Sequence, residues 1–212
     1  MGLDSVLSSG LSQLGLNCSL AVHAQLRDYV LLLDKWNRVY NLTAVRNPDE
    51  MVTRHLLDSL AILPFLRGSR VLDVGTGAGL PGIPLAIVNK ETCPEREFVL
   101  LDSNSKKTRF VQQAVAQLKL TNVVVIHERS EEYRPQVLFD VVVSRAFASV
   151  TDMLKNSGQH CAKNGVILAM KGTDPADELR DIPEGFTLES VHALKVPGLE
   201  GQRHVVCLTP AV

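Results

Sequence analysis

One segment near the middle of the chain constrains the fold more than any other. Residues 70–86 read RVLDVGTGAGLPGIPLA, an apolar run followed by glycines at alternating positions, Gly75, Gly77 and Gly79. Because glycine adopts left-handed backbone conformations at little steric cost, this spacing predicts a tight turn. A helix beginning near Leu80 would then point its free N–H groups into the space that the glycines leave. The segment therefore predicts a strand, a turn and a helix that together bind a nucleoside cofactor.

Two cofactors fit this description. Residues 77–82 match the dinucleotide pattern G-x-G-x-x-G, and Asp102 ends the next apolar run, where a carboxylate can bind ribose hydroxyls. Asp73 precedes the glycines, and a carboxylate beside a pyrophosphate would repel it. S-adenosyl-L-methionine carries an ammonium and a sulfonium but no phosphate, so Asp73 favours it as the cofactor. A nicotinamide dinucleotide, and a glycine turn in an ordinary α/β domain, remain as alternatives.

Length, charge and cysteine usage limit the remaining possibilities. The chain has 212 residues and a net charge of −1, which suits one α/β domain with a helical addition. Any RNA partner would need a local basic surface. The four cysteines include no C-x-x-C pair, which argues against a zinc site or a disulfide framework. The sequence has no leader-like start and no apolar run of about 18 residues, so we expect a soluble, cytoplasmic, metal-free monomer.

The apolar periodicity changes near residue 66. Before that point apolar residues recur at helical spacing, in one helix up to Tyr40 and a second from Pro48 to Pro64. After it, short apolar runs alternate with helix candidates, which predicts a parallel sheet. The runs are 71–74, 98–101, 123–126, 141–143 and 166–170, and the helix candidates are 84–88, 106–118 and 150–161. We predict an N-terminal helical extension at 1–66 and one compact α/β domain at 67–212.

The end of the chain departs from this alternation. Residues 187–196 and 204–209 are both strand-like, and the segment 197–203 between them is too short for a crossover helix. We therefore expect an antiparallel hairpin after the parallel strands. A mostly parallel, Rossmann-like sheet of seven strands that ends in such a hairpin is typical of a class I methyltransferase, whereas a dehydrogenase sheet normally ends parallel. The polar segment 89–97 is expected to form a surface loop.

Two segments that follow predicted strands carry candidate binding residues. Ser130 and Glu131 come after the third strand, where the loop would pass the adenine; a solvated charged loop is the alternative. The fourth strand ends in Ser144-Arg145-Ala146-Phe147, where the methyl acceptor should lie. This segment lacks the Asn/Asp-Pro-Pro-aromatic tetrapeptide of many exocyclic-amine methyltransferases and a cysteine nucleophile. Arg145 instead favours a ring nitrogen with a free lone pair, such as guanine N7, although an ion pair with a strand-end carboxylate is its alternative role.

Basic side chains are expected to converge on one rim of the sheet. Lys171, Arg145 and Arg203 follow or border predicted strands, and Arg54 on the second helix extends the group. Such a rim would position RNA through its phosphates, with Arg54, Lys171 and Arg203 as the RNA-binding residues. His55 is expected to be structural rather than catalytic, because no nucleophile in the sequence pairs with it.

Several segments, spread over about residues 25 to 209, resemble the RsmG (GidB) family of bacterial rRNA methyltransferases. They are KWNRVYNLTAVRNPDEMVTRHLLDSL, LDVGTGAGLPGIPLA, LLDSNSKKTRF, SRAFAS and ALKVPGLEGQRH. The resemblance implies a class I fold and S-adenosylmethionine-dependent methylation of N7 of one guanine in 16S rRNA, as free RNA or in the 30S subunit. It also implies cofactor contacts, with Asp102 on the ribose and the others at Gly75, Leu80, Ser130, Glu131 and Arg145.

Two positions depart from the family pattern, and three other functions stay open at this point. Ser130 stands where the family often has alanine or another small residue, and the loop at 89–97 is longer than expected. The alternatives are a nicotinamide-dependent oxidoreductase, a non-catalytic RNA-binding module that kept the fold, and a methyltransferase for a small metabolite. The helical extension and the basic rim argue against the last of these.

Overall fold

A seven-stranded sheet organises the molecule in the computed structural model, which describes residues 2–211. The strands are β1 Arg70–Val74, β2 Glu97–Asp102, β3 Val123–His127, β4 Phe139–Ser144, β5 Cys161–Lys171, β6 Phe186–Ala193 and β7 His204–Pro210. Their order across the sheet is β3-β2-β1-β4-β5-β7-β6. Neighbours from β3 to β5 pair in parallel, whereas β7 is antiparallel to both β5 and β6. The predicted fold class and the terminal hairpin are confirmed.

The helices lie on both faces of this sheet. They are α1 Leu3–Gln13, α2 Leu20–Tyr40, α3 Pro48–Met51, α4 Asp58–Leu60, α5 Gly82–Thr92, α6 Ser105–Gln117 and α7 Val150–Ser157, with 3-10 turns at Leu63–Phe65, Gly158–His160 and Glu178–Asp181. Alternate residues of a strand face opposite sides of the sheet. Accordingly Val141 and Val143 belong to one buried cluster and Val142 to the other. Within residues 2–211 no helix has the length and apolar character needed to cross a membrane.

The N-terminal helices and one face of the sheet share a single hydrophobic cluster. Leu26 and Leu33 of α2 and Leu56 of the following helical segment are fully buried in the same cluster as Ile83 and Phe98. A change of periodicity near residue 66 therefore separates two stretches of sequence that pack together. The division into an extension at 1–66 and a domain at 67–212 stays a prediction.

The predicted second helix is interrupted in a way that apolar spacing does not reveal. Between α3 and α4 the chain forms a π-helical segment, Val52–Leu57. Such segments are rare and frequently occur at functional sites, because the extra residue in the turn redirects side chains. Here the segment carries Arg54 and His55.

Three predicted element boundaries are corrected. Helix α5 begins at Gly82 rather than near Leu80 and continues to Thr92, so the expected loop at 89–97 is partly helical. Asn89 is fully buried there, and its side-chain amide is satisfied on both sides: it donates to the Leu85 carbonyl at 2.8 Å and accepts from Arg96 at 2.7 Å. A polar residue thus fits the interior once its partners are present. At the other correction, α7 ends at Ser157, and Cys161 already belongs to β5.

Candidate active site: two neighbouring cavities

The glycine turn after β1 has the left-handed backbone that its sequence predicts. Gly75, Gly77 and Gly79 have φ values of 68°, 60° and 86°. At Gly75 the requirement is also steric, because a Cβ there would lie 2.7 Å from the Cβ of Ala146. The turn after β1 and the loop after β4 therefore approach each other as closely as their backbones allow.

Asp73 holds this turn from behind. The fully buried carboxylate accepts hydrogen bonds from the Thr76 hydroxyl at 2.6 Å and from the Gly82 N–H at 2.8 Å. Burial raises the pKa of Asp73 to about 6, although both hydrogen bonds oppose this rise. Asp73 does not line the neighbouring cavity, and the partners of its carboxylate belong to the turn. Its place beside a cofactor ammonium stays a prediction.

Asp102 holds the turn from the other side. Its Oδ2 accepts from the Gly77 N–H and its Oδ1 from the Asn104 N–H, both at 2.8 Å. Unlike Asp73, Asp102 lines an adjacent cavity. Because each carboxylate oxygen accepts more than one hydrogen bond, Asp102 is both oriented and available to a ribose.

This cavity, which we call the glycine cavity, has a volume of about 210 Å³ at the carboxyl ends of β1 to β4. The predicted residues Gly75, Asp102, Ser130 and Glu131 line it together. Gly77, Gly79 and Leu80 do not; they form the turn, and Leu80 is buried. The remaining lining residues are Val74, Leu101, Ser103, Glu128, Arg129, Ala146, Phe147 and Asn156.

The loop after β3 is fixed where it borders the glycine cavity. The Ser130 hydroxyl donates to the Asn156 carbonyl at 2.8 Å, and the His160 Nε2 lies 3.0 Å from the Ser130 carbonyl. Since a carbonyl only accepts, Nε2 carries the proton. Burial lowers the pKa of His160, which favours this neutral form. The serine that replaces the common small residue thus anchors the loop instead of disturbing it.

A second cavity, the arginine cavity, has a volume of about 320 Å³ and lies beside the ends of β4, β5 and β7. The predicted cations Arg54, Arg145, Lys171 and Arg203 all line it, so the basic rim converges as expected. Its other lining residues are Thr43, Ala44, Val45, His55, Asp58, Met170, Gly172, Leu194 and His204.

Asp58 is the central residue of the arginine cavity, and it is not among the residues predicted from the sequence. Its carboxylate accepts from Arg145 Nη1 at 3.0 Å and from Arg203 Nε at 3.1 Å, while Asp58 itself is only 3% exposed. The alternative of an ion pair for Arg145 is therefore present, but the carboxylate comes from α4 and not from a strand end. A charged residue within the apolar stripe HLLDSL was the available signal.

The four predicted cations are not equivalent. Lys171 is 9% exposed, forms an ion pair with Glu178 at 2.9 Å and donates to the Ala148 carbonyl at 2.8 Å. Its expected role as a phosphate contact stays a prediction, and its charge is paired inside the protein. Arg54 is exposed and forms no ion pair within residues 2–211. Arg54 is thus the cation best placed to meet an external anion.

His55 links this cavity to the loop after α2. Its Nδ1 donates to the Arg54 carbonyl at 3.0 Å, so Nε2 accepts from the Thr43 hydroxyl at 2.8 Å. Burial and then the nearby Arg145 charge lower the pKa of His55 to about 4. The ring is therefore neutral at pH 7, which suits a structural histidine.

We predict that His55 makes the fold sensitive to acid. Its pKa falls from an ordinary 6.5 to about 4, so the stability it provides is complete above pH 6.5 and is lost as the pH falls toward 4. Between pH 7.5 and pH 5.0 this loss amounts to about 2 kcal/mol. Urea unfolding of His55→Gln at both pH values should show a correspondingly smaller change than the unsubstituted protein. Asp73, whose raised pKa has the opposite effect, contributes equally to both proteins and cancels.

One short loop separates the two cavities. The Ser144 hydroxyl donates to the Val74 carbonyl at 2.7 Å and accepts from the Ala146 N–H at 3.1 Å, which fixes the end of β4 against β1. Arg145 lines the arginine cavity, whereas Ala146 and Phe147 line the glycine cavity. Ligands in the two cavities would therefore meet beside this loop. Within the described chain, no group of three or more His, Cys, Asp or Glu side chains could hold a metal ion.

Comparison with known families gives a match over most of the chain. The family described as rRNA small subunit methyltransferase G matches residues 22–206. A ribosomal RNA small subunit methyltransferase G from Pseudomonas syringae pv. syringae is 54% identical over 202 residues, covering 95% of this chain and 92% of that protein. One from Aliivibrio fischeri is 52% identical over 200 residues, covering 93% of each.

Solved structures share the fold at low identity. The glycopeptide N-methyltransferase MtfA, complexed with S-adenosylhomocysteine, aligns with a TM-score of 0.58 and 11% identity, covering 74% of this chain and 87% of that one. TrmK from M. capricolum, in complex with S-adenosylhomocysteine, aligns with a TM-score of 0.55 and 16% identity, covering 73% and 67%. These similarities support the class I methyltransferase fold.

Proposed function

We propose that this chain, which belongs to the rRNA small subunit methyltransferase G family, transfers a methyl group from S-adenosylmethionine to N7 of a guanine in 16S rRNA. The observation that carries the proposal is the pair of cavities on either side of residues 144–147, one with turn and ribose-binding features and one with cations. The proposed reaction needs two adjacent binding sites, one for the methyl donor and one for the nucleic-acid base.

The glycine cavity suits the cofactor. Gly75 has no Cβ and therefore lets the turn meet the Ala146 loop at the cavity wall, and Asp102 offers oriented carboxylate oxygens for the ribose hydroxyls. Ser130 and Glu131 line the same cavity after β3, where the adenine would lie. Asp73, Gly77, Gly79 and Leu80 act indirectly, by shaping the turn. These roles extend the class I fold to the individual residues of this chain.

The arginine cavity suits the acceptor. An arginine fork pairs well with the acceptor edge of guanine, and Arg145 is held at the wall between the cavities by Asp58. Arg54, on the exposed side, meets a backbone phosphate. Arg203 shares Asp58 with Arg145 and keeps the pair rigid, while Lys171 supports the wall through Glu178.

The proposed reaction requires that the two reactants be oriented, and it requires no proton transfer. S-adenosylmethionine supplies an electrophilic methyl carbon bonded to a positively charged sulfur. N7 of guanine has a free lone pair, so it would attack the methyl carbon without a general base or a metal ion. As the new N–C bond forms, the carbon–sulfur bond would break, neutral S-adenosylhomocysteine would leave, and the positive charge would pass to the guanine ring. Holding the two reactants in line can contribute ~7–11 kcal/mol. Because Ser144 fixes β4 against β1, Arg145 and Gly75 face the reaction from a rigid frame.

Transfer of labelled methyl groups tests this function. Purified protein is incubated with labelled S-adenosylmethionine and 30S subunits, free 16S rRNA or 50S subunits, and the RNA is digested to nucleosides. We expect label in 7-methylguanosine from the small subunit alone, which also identifies the preferred form of the substrate. Absence of label, with S-adenosylhomocysteine bound, would indicate a non-catalytic RNA-binding module. A calorimetric signal with NADH instead would indicate an oxidoreductase.

The proposal includes the setting of the enzyme. We infer that the enzyme is cytoplasmic, because its proposed substrate is the ribosomal small subunit, and that it acts as a monomer. Sedimentation at micromolar concentration, with and without S-adenosylhomocysteine, tests the monomer.

A further inference from the structure

A side chain from the N-terminal helices reaches the glycine turn directly. The Tyr29 hydroxyl on α2 donates to the Ala78 carbonyl at 2.6 Å, across 49 positions of sequence. Tyr29 is fully buried, and its ring lies 6.4 Å from that of Phe110. Burial raises the pKa of Tyr29, so the hydroxyl keeps its proton for this bond.

The bond adds a tertiary restraint to the turn, where the Gly79 N–H already donates to the Thr76 carbonyl at 2.9 Å. Ala78 lies between Gly77 and Gly79, and glycine imposes few torsional limits on the peptides beside it. The sheet holds both sides of the turn, through Asp102 at Gly77 and Asp73 at Gly82. Within residues 2–211, the Ala78 carbonyl accepts a hydrogen bond from the Tyr29 hydroxyl and from no other donor. Without the Tyr29 hydroxyl the buried Ala78 carbonyl has no donor, and this unpaired acceptor favours rotation of the Ala78 peptide toward another donor.

We propose that Tyr29 is a positioning residue for the cofactor, which it orients through the Ala78 peptide of the glycine turn. The inference rests on the proposed cofactor site in the glycine cavity. It assigns to the helical extension a part in methyl-donor binding, separate from any contact that the extension makes with RNA. Since Gly77 donates to the ribose-binding Asp102, a rotated Ala78 peptide also disturbs that carboxylate.

Tyr29→Phe removes the hydroxyl and keeps the ring. We expect the Kd for S-adenosylhomocysteine and the KM for S-adenosylmethionine to rise about tenfold, from the loss of one buried hydrogen bond. At saturating S-adenosylmethionine, kcat and the KM for RNA should stay within about twofold, because the Arg145 wall is untouched. Tyr40→Phe is the matched control, since Tyr40 is also on α2, is 46% exposed and stacks on Trp36. It should change none of these constants.

A structural role alone predicts a different result. If Tyr29→Phe unfolds at lower urea concentration but binds S-adenosylhomocysteine as tightly as the unsubstituted protein, the inference is wrong. Should the variant fail to fold, trimethylamine N-oxide restores the compact state, and both proteins are compared in it. If the unsubstituted protein does not bind S-adenosylhomocysteine, the proposed function fails. If it binds, and the variant binds equally, only the role of Tyr29 fails.

Discussion

Replacing Arg145 with alanine lowers the turnover number for methyl transfer to 16S rRNA by at least about 100-fold, equivalent to about 2.7 kcal/mol of lost transition-state stabilisation. Arg145 lines the arginine cavity and not the glycine cavity, so the Kd for S-adenosylhomocysteine should stay within about threefold. Its loss also frees one oxygen of the buried Asp58, and Arg203 is then the carboxylate's remaining ion-pair partner. Single-turnover kinetics with small-subunit RNA and calorimetry with S-adenosylhomocysteine separate the two effects.

The control for this variant is an arginine in an exposed ion pair. Arg67 pairs with Glu189 at the surface, and exposed pairs contribute at most about 1 kcal/mol. Arg67→Ala should therefore leave both turnover and cofactor affinity unchanged. Arg145→Lys should be intermediate, because lysine keeps the charge but loses the planar fork. Turnover close to that of the unsubstituted protein in Arg145→Ala would remove Arg145 from the proposed acceptor site.

Replacing Gly75 with alanine weakens S-adenosylhomocysteine binding about 100-fold. The new Cβ would be 2.7 Å from the Ala146 Cβ, so the loop that carries Ala146 and Phe147 must withdraw from the wall of the cavity. The backbone φ of 68° adds about 1–2 kcal/mol of strain for any residue with a side chain. Calorimetry on the purified, folded variant measures the change.

Gly15 provides the matched control. Its φ of 72° imposes nearly the same strain, but a Cβ there would meet no atom within 4 Å. Gly15→Ala should lose about 1–2 kcal/mol of stability and bind S-adenosylhomocysteine normally. Equal affinity of Gly75→Ala and Gly15→Ala would show that the turn does not border the cofactor.

The fold followed from the sequence because its signals are local. Continuous apolar runs such as 141–143 mark buried parallel strands, and the short segment 197–203 permits only an antiparallel return. The interruption of the second helix at Val52–Leu57 has no such signal, since a segment of six residues is too short for apolar spacing to distinguish a π-helical from an α-helical turn. The loop predicted at 89–97 was wrong in part for a related reason. A polar residue such as Asn89 indicates a loop unless its buried hydrogen-bond partners are known.

Sequence predicts the site residues whose place follows from the order of the strands. It does not predict the role of a residue whose hydrogen-bond partners lie elsewhere in the chain. Gly75, Asp102 and Ser130 follow strands in a known order, so they meet in one cavity. Asp73 was identified for its charge, but its partners are backbone and hydroxyl groups of the turn. Asp58 lies far along the chain from Arg145 and Arg203, and a contact between residues so distant in sequence produces no recognisable spacing pattern.

Mapping 7-methylguanosine in ribosomal RNA from cells with and without this protein tests the central claim most directly. Borohydride reduction followed by aniline cleaves RNA at 7-methylguanosine, so primer extension locates each site. We expect one cleavage position in 16S rRNA that depends on the protein and returns with the unsubstituted chain but not with Arg145→Ala. An identical cleavage pattern in both cell types, or a protein-dependent methyl group on any atom other than guanine N7, would contradict it.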